Sequence, residues 1–145
     1  MKTAIVYCSR HHGNTKKLAE AVAQGRDVTL IDALAVKSAD LSGYELIGFA
    51  SGIYFGKFHK SVLEFAENNL PQGKKVFFLS TYGGSSSTAA IEEAVRAKGA
   101  QIAGQFGCKG FDTFGPFKLV GGIAKGHPDE TDLENARRFF DALSG

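Results

Sequence analysis

The run Val76-Phe77-Phe78-Leu79-Ser80 does most to limit how this chain can fold. A strand with one wet face alternates apolar and polar residues. This one is apolar on both sides, so something must cover both of its faces. The patterns around it supply the cover. Strand-like runs at Thr3–Cys8, Val28–Ile31, Leu46–Ala50 and Gln101–Cys108 alternate with helical patterns at Asn14–Gln24, His59–Asn69, Ser87–Lys98 and from Thr131 onward. A piece containing Asp40 and Leu41, helical or irregular, lies between the second and third strands. Five strands alternating with helices predict one α/β domain over residues 1–145, a three-layer sandwich with a parallel sheet and helices on both faces. Thr131-Asp132-Leu133-Glu134 reads as a capping box at the start of the last helix. Residues 109–128 hold five glycines and fit neither period, so the segment is functional or conceals an element.

Composition removes several function classes. A net charge of +2 with no long lysine or arginine run argues against a nucleic-acid partner. No stretch reaches the ~18 apolar residues that a membrane span needs, so no membrane insertion is expected. The apolar run before Cys8 is too short for the core of a signal peptide. Cys8 and Cys108 lack metal-ligand spacing and read as free packing thiols, as in a reducing cytoplasm. No metal site is expected.

In an open α/β sheet a ligand binds beyond the carboxyl ends of the strands. Three segments occupy that position. The first, Ser9-Arg10-His11-His12-Gly13-Asn14-Thr15, passes from a strand into a helix. Unpaired amides and the dipole at a helix N-terminus favour an anion, and the hydroxyls, the Asn14 amide and the Arg10 charge add to that preference. Taken alone, the segment would also serve as a capped turn that binds nothing. The second is Ser51-Gly52-Ile53-Tyr54-Phe55-Gly56, and the third is Ser80-Thr81-Tyr82-Gly83-Gly84. Each carries an aromatic beside glycine. Tyr54 and Tyr82, with Phe55 competing for the first position, suggest two plates for a planar ring. A heterocycle between aromatics, with a phosphate at a helix N-terminus, is the geometry of flavin mononucleotide (FMN). The chain has no G-x-G-x-x-G after its first strand and no Walker phosphate loop. Cys8-Ser9 and Ala50-Ser51 stand where a phospho-receiver would need acidic residues.

On these three segments the chain resembles the short-chain flavodoxins, over essentially its whole length. The resemblance implies a five-stranded sheet of order 2-1-3-4-5 and tightly, non-covalently bound FMN. It also implies an electron carrier, expected as a cytoplasmic monomer, between a flavodoxin/ferredoxin reductase-type donor and an oxidoreductase acceptor. A peptide near Phe55-Gly56 would change its hydrogen bonding to the flavin on reduction. No catalytic side chain is expected. Two departures stand out. Ser9 and Gly13 are four positions apart, one more than in the usual S-x-x-G-N-T turn, and the sequence pI is near 8.5 where flavodoxins are commonly acidic. The Gly52–Lys60 loop also resembles that of flavodoxin-like enzymes that oxidise protoporphyrinogen with a quinone acceptor, which is the alternative function. A cofactor-free interaction module on the same sheet is a third.

Overall fold

In the computed structural model, residues 2–9, 13–54, 56–82, 87–109 and 128–144 are described. The elements are β1 (Thr3–Cys8), α1 (Asn14–Ala23), β2 (Val28–Asp32), β3 (Leu46–Tyr54), β4 (Lys57–Phe58), α2 (Lys60–Asn69), β5 (Lys75–Tyr82), α3 (Ala89–Arg96), β6 (Gln101–Lys109) and α4 (Glu130–Ser144). The main sheet runs β2-β1-β3-β5-β6 with every pairing parallel. That is the expected 2-1-3-4-5 order, with the two-residue β4 added as an antiparallel partner of β3. Most of the glycine-rich 109–128 segment lies outside the described residues.

Alternation along each strand sorts the core into two layers. Ala4, Val6 and Cys8 of β1 and Val76 and Phe78 of β5 face α2 and α3, where Val62, Phe65, Ala66, Ile91 and Val95 close over them. Ile5, Tyr7, Phe77 and Leu79 face the other way, under Leu18, Ala19 and Val22 of α1 and Ala136 and Phe140 of α4. The central strands are thus apolar on both faces because helices cover both. Burying a phenylalanine such as Phe49, Phe77 or Phe78 contributes roughly 1.5–3 kcal/mol over leaving it exposed.

Between β2 and β3 the described structure holds turns and extended chain and no helix. Ala33 and Leu41 plug the core from this connection. Asn69 of α2 pins it, accepting from the Ala39 amide and donating to the Lys37 carbonyl. The box at the start of α4 lies two residues earlier than the sequence pattern suggests. The Asp129 carboxylate accepts from the Asp132 amide, and the Asp132 carboxylate accepts from the Asp129 amide, each at 2.9 Å. Both schemes place a short polar side chain opposite a partner three residues on; aspartates at both positions let the earlier register form.

Candidate functional site

The register places three strand tips side by side. Cys8 of β1 pairs with Ser51 of β3, Ser51 with Ser80 of β5, and Gly52 with Thr81. The loops singled out in the sequence therefore leave neighbouring strands at one end of the sheet.

After β1 the chain enters α1 through Gly13, whose φ of 65° lies in the left-handed region that glycine adopts at low cost. Gly13 has no side chain with which to cap the helix. Ser9 does this from four residues upstream, its hydroxyl accepting the Lys16 amide at 3.0 Å. The Lys17 amide bonds the Gly13 carbonyl. The longer spacing from Ser9 to Gly13 thus still ends with a serine hydroxyl on the first turn. In the first turn of the helix, Thr15 meets Thr81 of β5, their hydroxyls 2.9 Å apart and both buried. This bond fastens the α1 N-terminus to the tip of β5. Two hydroxyls bonded to each other use only one of their two protons, so the pair keeps a donor for a further acceptor.

β3 does not end at Ala50. It runs on to Tyr54, and its end pairs antiparallel with β4, with Ile53 opposite Phe58 and Tyr54 opposite Lys57. Gly56, at φ 80°, takes up the left-handed backbone just before β4 that glycine adopts at low cost. Phe58 is buried in the α2 face of the core, and Ile53 packs against that cluster. Ser51 is fully buried and spent internally: its hydroxyl donates to the Gly52 carbonyl at 2.6 Å and accepts the His59 amide at 2.9 Å. Ser51 therefore joins β3 to the start of α2.

Tyr54, on the opposite side of β3 from Ser51, lies over Gly52, where a Cβ would come within 3.2 Å of the phenol oxygen. His59 abuts the Tyr54 ring edge-on. Tyr82 at the tip of β5 lies over Gly107 of β6, where a Cβ would meet its ring at 3.2 Å and the Ser80 hydroxyl at 2.8 Å. Alternation puts Tyr54 on the α1 side of the sheet and Tyr82 on the α3 side. Both rings are half-buried, with the carboxyl edge of the sheet between them.

Ser9, Gly13, Asn14, Thr15, Ser51, Gly52, Ile53, Tyr54, Gly56, Ser80, Thr81 and Tyr82 therefore gather at one edge, although Ser51 and Ile53 turn inward. Arg10, His11, His12, Phe55, Gly83 and Gly84 lie outside the described residues. Sequence reasoning missed the support that His59 gives Tyr54 and the bond between Thr15 and Thr81. Nothing in the local pattern signals contacts made across 5 and 66 residues.

Two titrating groups near this edge are perturbed. Burial, then the nearby Asp32 and Glu20 charges, raises the Tyr7 phenol. Burial, helped by Asp132 and Asp129, pushes the Cys108 thiol up to about 12, so it stays protonated and unreactive. No helix among the described residues is long and apolar enough to cross a membrane.

Residues 4–111 match the model of the flavodoxin domain family. Aligned over 147 residues, the chain is 41% identical to an uncharacterized protein of Methanocaldococcus jannaschii, covering 99% of this chain and 98% of that one. A flavodoxin from the domain Archaea superposes with a TM-score of 0.71 at 24% identity, over 99% of each chain. Rubredoxin oxygen:oxidoreductase from Desulfovibrio gigas superposes with a TM-score of 0.72 at 18% identity, over 99% of this chain and 36% of that one. At these identities the two structures speak for the fold.

Proposed function

Because this chain belongs to the flavodoxin family, we propose that it binds FMN at the carboxyl edge of the sheet and passes single electrons between redox proteins. One observation carries this reading. The N-terminus of α1, with no acidic residue in its first turn, is bonded through Thr15 to the tip of β5, between strand ends that carry Tyr54 and Tyr82.

The residues present fit the cofactor. The spare proton of the Thr15–Thr81 pair is buried and suits an anionic acceptor such as a phosphate oxygen. The amides of the first turn of α1 would hold that phosphate, with the Lys16 and Lys17 amides bonded to Ser9 and Gly13 so that the turn keeps its shape. Tyr54 and Tyr82 would flank the ring, each steadied on a glycine that leaves room for it. Bound FMN supplies the redox chemistry, taking up and releasing electrons. The protein's part is to bind, orient and shield, which requires neither a nucleophile nor a general acid. The shared fold with a longer oxidoreductase supports the reading, because the same sheet there forms about a third of a redox protein.

The test is an anaerobic reductive titration of the FMN-reconstituted protein, followed by absorbance. The expected result is a long-wavelength band from one-electron-reduced flavin that builds up and then fades. Direct two-electron bleaching, with turnover of a quinone or protoporphyrinogen by the protein alone, would replace the carrier with the enzyme. A protein that retains no FMN would overturn both.

A further inference from the structure

Two helices start at the edge that carries Tyr54, and both begin with lysine where folding alone favours acid. α1 opens with Lys16 and Lys17 in its first turn and α2 with Lys60, and neither first turn contains an acidic residue. A cation at a helix N-terminus opposes the dipole. α3 and α4 follow the ordinary preference, with Glu92 in one first turn and Glu130 and Asp132 in the other. Lys57, on β4 beside Tyr54, adds a further charge.

All four lysines are exposed, and none makes a side-chain hydrogen bond or ion pair among the described residues. Elsewhere the chain uses its cations. Arg26, Arg96, Arg137 and Arg138 are paired with carboxylates, Lys37 and Lys74 bond carbonyls, and Lys2 lies over the Tyr44 ring. Lys75, Lys98 and Lys109 are also unpaired among the described residues; the first two lie near the opposite end of the sheet, while Lys109 ends β6 opposite Tyr82 and adds to the charge at this edge. The unpaired positive charge at the site edge is thus set against local helix energetics and serves no internal contact.

We propose that this edge docks a protein with an acidic face, which approaches over Lys57 and Lys60 toward Tyr54. The proposal rests on the electron-carrier reading and names the kind of partner. A nucleic acid fits less well, because every described arginine is already paired and offers no free fork to a phosphate.

The experiment measures association rates of the full chain with an acidic plant-type ferredoxin and with basic cytochrome c, at low and high salt. Wild type is compared with K57E/K60E and K57A/K60A. The wild-type chain should associate with ferredoxin fastest at low salt, and K57E/K60E should lose at least about tenfold of that rate. K57A/K60A should fall between them, while cytochrome c should prefer the charge-reversed variant. Three results would overturn the proposal: a K57E/K60E rate equal to wild type, a wild-type preference for cytochrome c, or equally tight binding of an RNA oligonucleotide at the same salt. Flavin absorbance is recorded for each variant. A chain without FMN would defeat the carrier reading, while the association rates would still decide the docking.

Discussion

The imidazole of His59 stands edge-on to the ring of Tyr54, with 5.2 Å between ring centres and 83° between planes. The same imidazole caps α2, its Nδ1 accepting the Ser61 amide at 3.1 Å and lying 2.8 Å from the Ser61 hydroxyl. An Nδ1 that accepts from an amide carries no proton, so the cap fixes both the tautomer and the ring position. Through His59, the start of α2 sets where Tyr54 lies.

His59→Ala should therefore cost about 1 kcal/mol for the cap and about 0.5–1.5 kcal/mol for the ring pair. In a domain of this size that is a fall in Tm of roughly 5 °C. His59→Asn keeps an acceptor for the Ser61 amide and should recover about half of the stability. It should not recover FMN affinity, because the edge-on imidazole against Tyr54 is still missing. Calorimetry and a flavin fluorescence titration measure the two effects separately.

How much of this was legible in the sequence follows from what each signal depends on. Strands β1 and β5 announce themselves as unbroken apolar runs and the helices through an apolar stripe, because burial on both sheet faces or on one helix face is written into hydropathy. The extension of β3 past Ala50 does not. Ser51 and Gly52 are held as strand by backbone pairing with Ser80 and Thr81, which hydropathy cannot report. A clue was available in Ile53 and Phe58, two apolar residues flanking a reversal that contains Gly56. The segment between β2 and β3 is ambiguous because its middle, at Lys37 and Ala39, is held by Asn69, about 30 residues away. For the site, sequence located the three loops, and only the fold shows that Ser51 turns inward while Thr81 turns toward Thr15.

The Thr15–Thr81 bond predicts non-additive substitutions. Thr15→Val or Thr81→Val alone leaves one buried hydroxyl without its partner, at a cost of roughly 1–3 kcal/mol. The double variant removes both groups and should cost clearly less than the sum of the two. Urea denaturation of the four proteins gives the coupling directly. Additive losses would mean that the two hydroxyls do not depend on each other.

Cys108 makes stability fall in alkali. Its folded pKa of about 12 lies above the ordinary value of 9.0, so between these values the folded protein keeps a proton that the unfolded chain has lost. The contribution is complete below pH 9 and declines as pH rises toward 12. Cys108→Ala should flatten that decline. At pH 8, iodoacetamide should label neither Cys8 nor Cys108 in the native protein, both being buried, and both once urea unfolds it.

Gly52→Ala separates the site from the scaffold. The added Cβ would lie 3.2–3.3 Å from the phenol oxygen and ring carbons of Tyr54, closer than ordinary contact, and these atoms belong to a side chain at the rim. The ring can yield by a few tenths of an ångström, so stability should change by less than about 1 kcal/mol. A planar ligand stacked on Tyr54 would lose that alignment, and FMN affinity should fall about tenfold, equivalent to about 1.4 kcal/mol. Calorimetric titration of FMN into both proteins, beside their melting curves, tests this. Unchanged affinity with an unchanged Tm would mean that Tyr54 does not form the plate on which the flavin rests.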